Sequence, residues 1–148
     1  EFSKRDVEEN YFLRKHLVSL ATAKAAENMT DERLVEFEKI VERMEEAVKR
    51  EDLPTFFRYN RLFHETVLET AGMDRLRALL ESLGKLTIRF RYLGLELPGR
   101  MTLSLKSHQE TLRAFARRDS RTAAKVMLRL IESAGQAIVK HLFTERQH

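Results

Sequence analysis

The chain has 148 residues, enough for one domain that buries a substantial core without covalent cross-links. It contains no cysteine, which excludes disulfides, thiolate metal sites and thiol catalysis. The formal net charge is +4, from 27 basic and 23 acidic residues, and no apolar run approaches the roughly 18 residues that cross a bilayer. Together with the polar N-terminal segment, which lacks a signal-peptide core, these features predict a cytoplasmic protein with no membrane partner.

The first predicted helix spans about residues 7–27, where apolar residues recur with helical spacing. Residues 1–12 form a linker-like segment that leads into this helix. The inward stripe of the helix is predicted to be Leu13, Leu17, Leu20 and Ala21.

Two further helices follow, and their ends are marked by capping residues. Thr30 is the natural N-cap of the second helix, which continues to about Arg50. Asp52 can cap the third helix, Pro54 fits its first turn, and Gly72 is a good C-terminal signal.

The second half of the chain predicts three more helices, over about 74–93, 101–116 and 120–143, with Asp119 capping the last. The loop 94–99 is either a plain interhelical turn or a lid over a pocket mouth. Short connections between amphipathic helices indicate an all-α fold, an antiparallel bundle of about six helices.

Three polar residues fall where apolar residues are expected. Asn60 and His64 stand four apart in the inward stripe of the third helix, so they share one face, and His108 lies in the stripe of the fifth helix. Buried polar groups need partners. The three residues therefore either satisfy one another, line a pocket for an organic ligand, or hold a metal.

The metal interpretation has two imidazoles, from His64 and His108, and the weak amide oxygen of Asn60. This donor set falls short of the three strong protein ligands that catalytic zinc sites use. Enzyme signatures are also missing: position 68, where a zincin has its second histidine, is Leu68, and no phosphate-binding glycine loop or nucleophile elbow occurs. The sequence predicts a protein that is not an enzyme.

One cluster of basic residues lies near the start of the last predicted helix. A solvated helix surface is the favoured interpretation, since no aromatic residues are interleaved as stacking platforms for bases. Its members are Arg113, Arg117, Arg118, Arg121, Lys125 and Arg129.

Several of these residues belong to a longer pattern. Residues 60–64 (Asn-Arg-Leu-Phe-His) and 69–73 (Glu-Thr-Ala-Gly-Met) resemble the Asp-Arg-x-Phe-His and Ala-Gly-Asn signature of the FadR-type C-terminal (FCD) domain. Residues 108–119 resemble the His-x-x-Ile-x-x-Ala-Ile-x-x-x-Asp block of that family, and residues 13–26 resemble its opening helix. The matches run in the family's order along nearly the whole chain.

The resemblance implies an effector-binding and dimerisation domain of a bacterial GntR-family transcription regulator, formed by residues 13–148. Such domains form homodimers and bind a small metabolite, often a carboxylate, while a separate winged helix-turn-helix binds operator DNA. The chain as given has no segment that matches a winged helix. We therefore expect it to be part of a longer regulator and to have no specific DNA binding of its own.

Many members of the family hold a divalent metal through one aspartate and three histidines. The corresponding positions here are Asn60, His64, His108 and Leu130, so an anionic ligand and one imidazole are replaced. The resemblance therefore implies at most a weakly held zinc or nickel ion, bound by the two histidines with Asn60 as a weak third donor.

An anionic effector without a strong metal needs positive charge from the protein, and arginine suits a planar carboxylate. Arg89, Arg91 and Arg100 are candidates, each of which could instead be a surface residue. The predicted effector-binding set is Asn60, His64, Arg89, Arg100 and His108. Its histidines predict binding that is sensitive to pH between about 5 and 8. The alternative is a structural helical module whose Asn60–His64–His108 cluster binds no ligand.

Overall fold

The computed structural model describes residues 2–144, except for the side chains at positions 85 and 86. The last residues of the predicted domain, 145–148, lie outside this part. The described part is all-α, as predicted, and contains no strand. Its elements are α1 (Lys4–Glu27), α2 (Asp31–Lys49), α3 (Leu53–Ala71), α4 (Asp74–Ser82), α5 (Lys85–Glu96), α6 (Arg100–Ala116), α7 (Ser120–Val139) and a π-helical turn (Lys140–Thr144).

The three predicted N-caps are confirmed. The side chain of Thr30 accepts a hydrogen bond from the backbone N–H of Arg33, as expected for a residue that satisfies a free donor of the first turn. Asp52 and Asp119 cap α3 and α7 in the same way. Because these caps are local in sequence, the starts of the three helices follow directly from it.

The first helix begins at Lys4, earlier than the predicted start, so most of the linker-like segment is helical. Ser3 and Asp6 form a capping box there, in which the side chain of each accepts a hydrogen bond from the backbone N–H of the other. The predicted inward stripe is wrong at Leu13 and Leu20, which are exposed. The buried face of α1 instead contains Val7, Tyr11, Arg14, Val18 and Ala21.

The predicted fourth helix is two helices, α4 and α5, because the chain breaks at Gly84. This glycine has a φ of 79°, a conformation that favours glycine. The predicted loop 94–99 is also wrong in its first half, since α5 continues to Glu96 and only residues 97–99 form a turn. A Cβ at Gly94 would lie 3.4 Å from the Ile138 Cδ1 atom, an ordinary van der Waals distance, so this glycine faces α7 from within α5 and does not end the helix. Gly94 and Leu95, in the helical half of this segment, line the small cavity described below.

The helix α3 packs against three other helices. It contacts α2 on one side and α1 and α5 on others, α6 contacts both α2 and α7, and α1 lies along α7. Three buried rings, Phe37, Phe63 and Phe115, join α2, α3 and α6, with the Phe37 ring centroid 5.0 Å from each of the other two.

Within residues 2–144, no helix combines the length and the apolar character that a membrane span requires.

Candidate functional site

The structure brings the two histidines of the predicted site together. The ring centroids of His64 on α3 and His108 on α6 are 5.5 Å apart, and the rings are nearly perpendicular. Asn60 lies one turn before His64 and is 6% exposed. The four-residue spacing therefore predicted their common direction correctly.

His108 is fully buried and neutral. Its Nδ1–H donates to the backbone carbonyl of Ser104 at 2.7 Å, which leaves Nε2 as an acceptor that has no partner in the described structure. Burial lowers the pKa of His108 to about 4, although the hydrogen bond to Ser104 opposes this shift. The ring packs edge-on against Phe63 and does not line the cavity described below. His108 thus lies one layer deeper than predicted.

His64 is neutral for related reasons. Burial is the main cause that holds its pKa well below the usual value, and the nearby charges of Arg91 and Arg14 act in the same direction. This result corrects the expected pH sensitivity between about 5 and 8, because neither histidine gains a proton in the upper part of that range.

A small cavity lies beside these residues, with a volume of about 50 Å³. Of the predicted effector-binding residues, Asn60, His64 and Arg100 line it, and Leu130 forms part of its wall. The remaining lining residues are Tyr11, Arg14, Arg91, Gly94, Leu95, Ser104, Ile131 and Ala134. We call this space the inner cavity.

Two of the arginines that line the inner cavity lack an acidic partner. Arg14 is 6% exposed, and the Nη2 atom of Arg91 is buried without a hydrogen bond in the described structure. Burial lowers the pKa of both guanidinium groups, and no carboxylate of the described residues forms a salt bridge with either. Because a buried charge without a partner is costly, this pair is an unusual feature of the core.

Sequence reasoning missed Arg14 and favoured Arg89 over Arg91. The buried face of α1 repeats at alternating intervals of four and three residues, and Arg14 occupies one of those positions. That spacing is the sequence signal that could have identified Arg14 as buried. Arg89 is exposed and lines a separate hollow, so the structure does not bring it to the other residues. Arg100 is half-buried and donates through Nη1 to the Ser133 hydroxyl at 2.7 Å.

A second space, which we call the outer cleft, adjoins the inner cavity. Its volume is about 340 Å³, and it shares Arg14, His64 and Arg91 with the inner cavity. Most of its other walls are apolar and come from α1, α3, α4 and α5: Val18, Ala21, Val67, Leu68, Leu80 and Ile88.

The donor set does not fit a divalent metal. Within the described residues, no group of three or more His, Cys, Asp or Glu side chains is arranged to hold a metal ion. Asn60 is neutral, Leu130 has no donor atom, and the charges of Arg14 and Arg91 act on both histidines. A cation at this place would therefore meet positive charge and no anionic ligand.

The basic cluster on the surface is partly neutralised. Arg118 forms an ion pair with Asp31 at 3.1 Å, and Arg117 lies 3.9 Å from Asp119. These contacts agree with the interpretation as a solvated helix surface.

Comparisons with known proteins agree with this fold. A family model described as the FCD domain matches residues 9–133. The HTH-type transcriptional regulator McbR of Escherichia coli (strain K12) is 30% identical over 83 residues, which are 56% of this chain and 38% of that protein. The structure of E. coli McbR/YncC matches with a TM-score of 0.84 and 22% identity over 97% of this chain and 72% of that one. Streptococcus agalactiae GntR matches with a TM-score of 0.72 and 25% identity over 89% of this chain and 58% of that one.

These matches support different conclusions, because they cover different shares of the proteins compared. The chain spans 38% of the length of the curated relative, so the DNA-related activity of that whole protein is not carried over by the match. The structural likeness to McbR/YncC establishes the fold. The family match covers most of the chain, from α1 to the middle of α7. The chain therefore belongs to the FCD domain family, whose members are regulatory domains of GntR-type transcription regulators and not enzymes.

Proposed function

We propose that this chain is the effector-sensing and dimerisation domain of a bacterial regulator of the GntR/FadR type. In this proposal the carboxylate group of a small metabolite binds at the inner cavity, and this binding changes how a separate winged helix-turn-helix domain binds operator DNA. The regulator acts in the cytoplasm as a homodimer.

One observation carries the proposal, the buried Nη2 atom of the Arg91 guanidinium, which has no partner within the described residues. Arginine offers two parallel N–H donors to a carboxylate, and such a pair is strong where water is excluded. Arg14 adds a second positive charge at the same cavity. A carboxylate would therefore supply the counter-charge that the described residues lack.

The other lining residues supply directional contacts. The Oδ1 atom of Asn60 is a buried acceptor without a partner, so it suits a hydroxyl of the effector or a bridging water. Arg100 lies at the same cavity, and His64 lies between this cavity and the outer cleft. We assign His108 a positioning role, because its ring contacts His64 but does not line the cavity. Metal has no part in the proposed binding, since the arginines provide the charge.

The ligand-free alternative is weakened by the same geometry. If Asn60, His64 and His108 formed a self-satisfied cluster, their buried polar atoms would have partners. The Oδ1 atom of Asn60 and the Nε2 atom of His108 have none within the described residues. This arrangement favours a binding site over an internal structural cluster.

Thermal unfolding with a panel of small mono- and dicarboxylates tests the proposed binding site. Binding to the folded chain raises the melting temperature, as followed by circular dichroism. We expect at least one carboxylate to stabilise the chain, and Arg91→Gln to abolish that shift. Arg89→Gln is the matched control, because it removes the same charge two residues away on the exposed side. Equal shifts for both variants would contradict the assignment.

Sedimentation equilibrium tests the proposed dimer separately. The chain has a mass of 17.4 kDa, and we expect twice that value at micromolar concentration. A monomer at all concentrations would contradict dimerisation by this domain without affecting the binding site.

A further inference from the structure

We propose that the effector is amphipathic, with a carboxylate held at Arg14 and Arg91 and an apolar body that occupies the outer cleft. This inference rests on the proposed function, because it assigns the class of molecule that binds at the same arginines.

The first argument is size. The inner cavity, at about 50 Å³, is several-fold smaller than an ordinary ligand site. It therefore suits the charged head of a ligand and not the whole molecule. Ligand sites usually have volumes of about 300–1,000 Å³, and the outer cleft, at about 340 Å³, falls within that range.

The second argument is continuity. Arg14, His64 and Arg91 line both spaces, so the positive charge lies at the boundary between them. Of these two spaces in the described part of the chain, one has adequate volume for the rest of a ligand whose carboxylate is held by these arginines. That space is the outer cleft.

The third argument is the chemistry of the walls. Val18, Ala21 and Val67 are buried along the cleft, and Ile88 on α5 is 38% exposed although it is a large apolar residue. An apolar body in the cleft would cover Ile88 and remove this surface from water.

The charged residues of the cleft other than Arg14 and Arg91 have partners or lie in solvent. Glu65 pairs with Arg77, and the guanidinium of Arg61 lies 5.9 Å from the centroid of the Phe57 ring. Glu81 is exposed. The unmatched charge is therefore at the deep end of the cleft, which is the pattern expected for a ligand with one charged head and a neutral body.

A series of unbranched carboxylates from acetate to decanoate tests this inference by isothermal titration at pH 7, below their micelle concentrations. Each methylene that leaves water should raise affinity about two- to fourfold, until the cleft is full. The matching primary alcohols, which lack the charge, should bind much more weakly than the carboxylates of the same length.

Two matched variants test whether the effect of chain length on affinity arises in the outer cleft. Ile88→Gln puts a polar group on the cleft wall and should lower the affinity for decanoate about threefold or more while leaving acetate unchanged. Leu103→Gln on α6 is the control, because Leu103 is also an exposed apolar residue, 41% exposed, and lies outside the cleft lining. It should leave the whole series unchanged.

The outcomes separate this inference from the proposed function. If affinity is independent of chain length but is lost in Arg91→Gln, the carboxylate site stands and the apolar body is wrong. If Ile88→Gln and Leu103→Gln change the series equally, the outer cleft is not the place where the body binds. If Arg91→Gln leaves every affinity unchanged, both proposals fail.

Discussion

The two sides of α3 are built in opposite ways. Towards α2 and α6, Phe37, Phe63 and Phe115 pack ring against ring and are fully buried. Towards α1 and α5, Arg14 is buried and Arg91 is half-buried with a buried Nη2 atom, and neither has an acidic partner within the described residues. The aromatic side is stabilised by its own packing, whereas the arginine side keeps an electrostatic cost that the described residues do not offset. This contrast is the basis of our proposal that the arginine side binds a ligand.

The largest expected effect is a loss of stability on the aromatic side. Phe37→Ala should lower the free energy of unfolding by about 3–5 kcal/mol, because it leaves a cavity among packed rings. Carboxylate binding should be retained at temperatures where the variant is folded. Urea unfolding measures the first effect, with the exposed Leu62→Ala as control. A loss below 1 kcal/mol would show that the aromatic cluster does not carry the stability assigned to it.

The second-largest expected effect is a change in the free energy of unfolding with pH, to which His108 contributes. His108 has a pKa of about 4 in the folded chain and an ordinary value of 6.5 in the unfolded chain, so the unfolded state takes up the proton first as the pH falls. The stabilisation is complete above pH 6.5 and is lost towards pH 4, by about 3 kcal/mol for this group. Urea unfolding between pH 7 and pH 4 measures it.

Two variants isolate the contribution of His108. His108→Gln should reduce the pH dependence between 6.5 and 4 and leave the part that His64 contributes, whereas the exposed His16→Gln should retain the full dependence. An unchanged slope in His108→Gln would contradict the neutral, buried state of this histidine.

The smallest expected effect concerns metal on the arginine side. Treatment with a chelator should shift the melting temperature by less than about 1 °C, since the donor set offers no anionic ligand. The double variant Asn60→Asp/Leu130→His restores the aspartate and histidine of the family pattern and should gain a melting shift with zinc. A fall of several degrees on chelation of the unchanged chain would show that a cation is bound despite Asn60 and Leu130.

Most of the fold could be predicted because its signals are local. Helical periodicity, together with the caps Thr30, Asp52 and Asp119, depends on residues within one or two turns. The errors occurred where tertiary packing determines whether a helix breaks or continues. Gly84 breaks a run that is periodic on both sides, whereas Gly94 lies inside α5 and faces Ile138 of α7.

The site was predictable only in part. The resemblance and the four-residue spacing identified Asn60 and His64, but the choice between Arg89 and Arg91 depends on how α5 is rotated against its neighbours. Residues two apart on a helix point to nearly opposite sides. Arg14 was missed because α1 carries apolar residues on two faces, so its exposed leucines obscured the buried stripe.

The central claim is that the arginine side of α3 lowers the stability of the ligand-free chain and binds a carboxylate. The variant Arg91→Met tests it most directly. Urea unfolding is measured for the unchanged chain and for the variant, each with and without the best carboxylate of the panel. The samples without carboxylate report the cost in stability, and the samples with it report binding. We expect the variant to be more stable than the unchanged chain without ligand, by about 1–3 kcal/mol, because an unpaired buried charge is replaced by an apolar side chain. We also expect it to lose the stabilisation by carboxylate. A variant that is less stable without ligand and is still stabilised by the carboxylate would contradict the account.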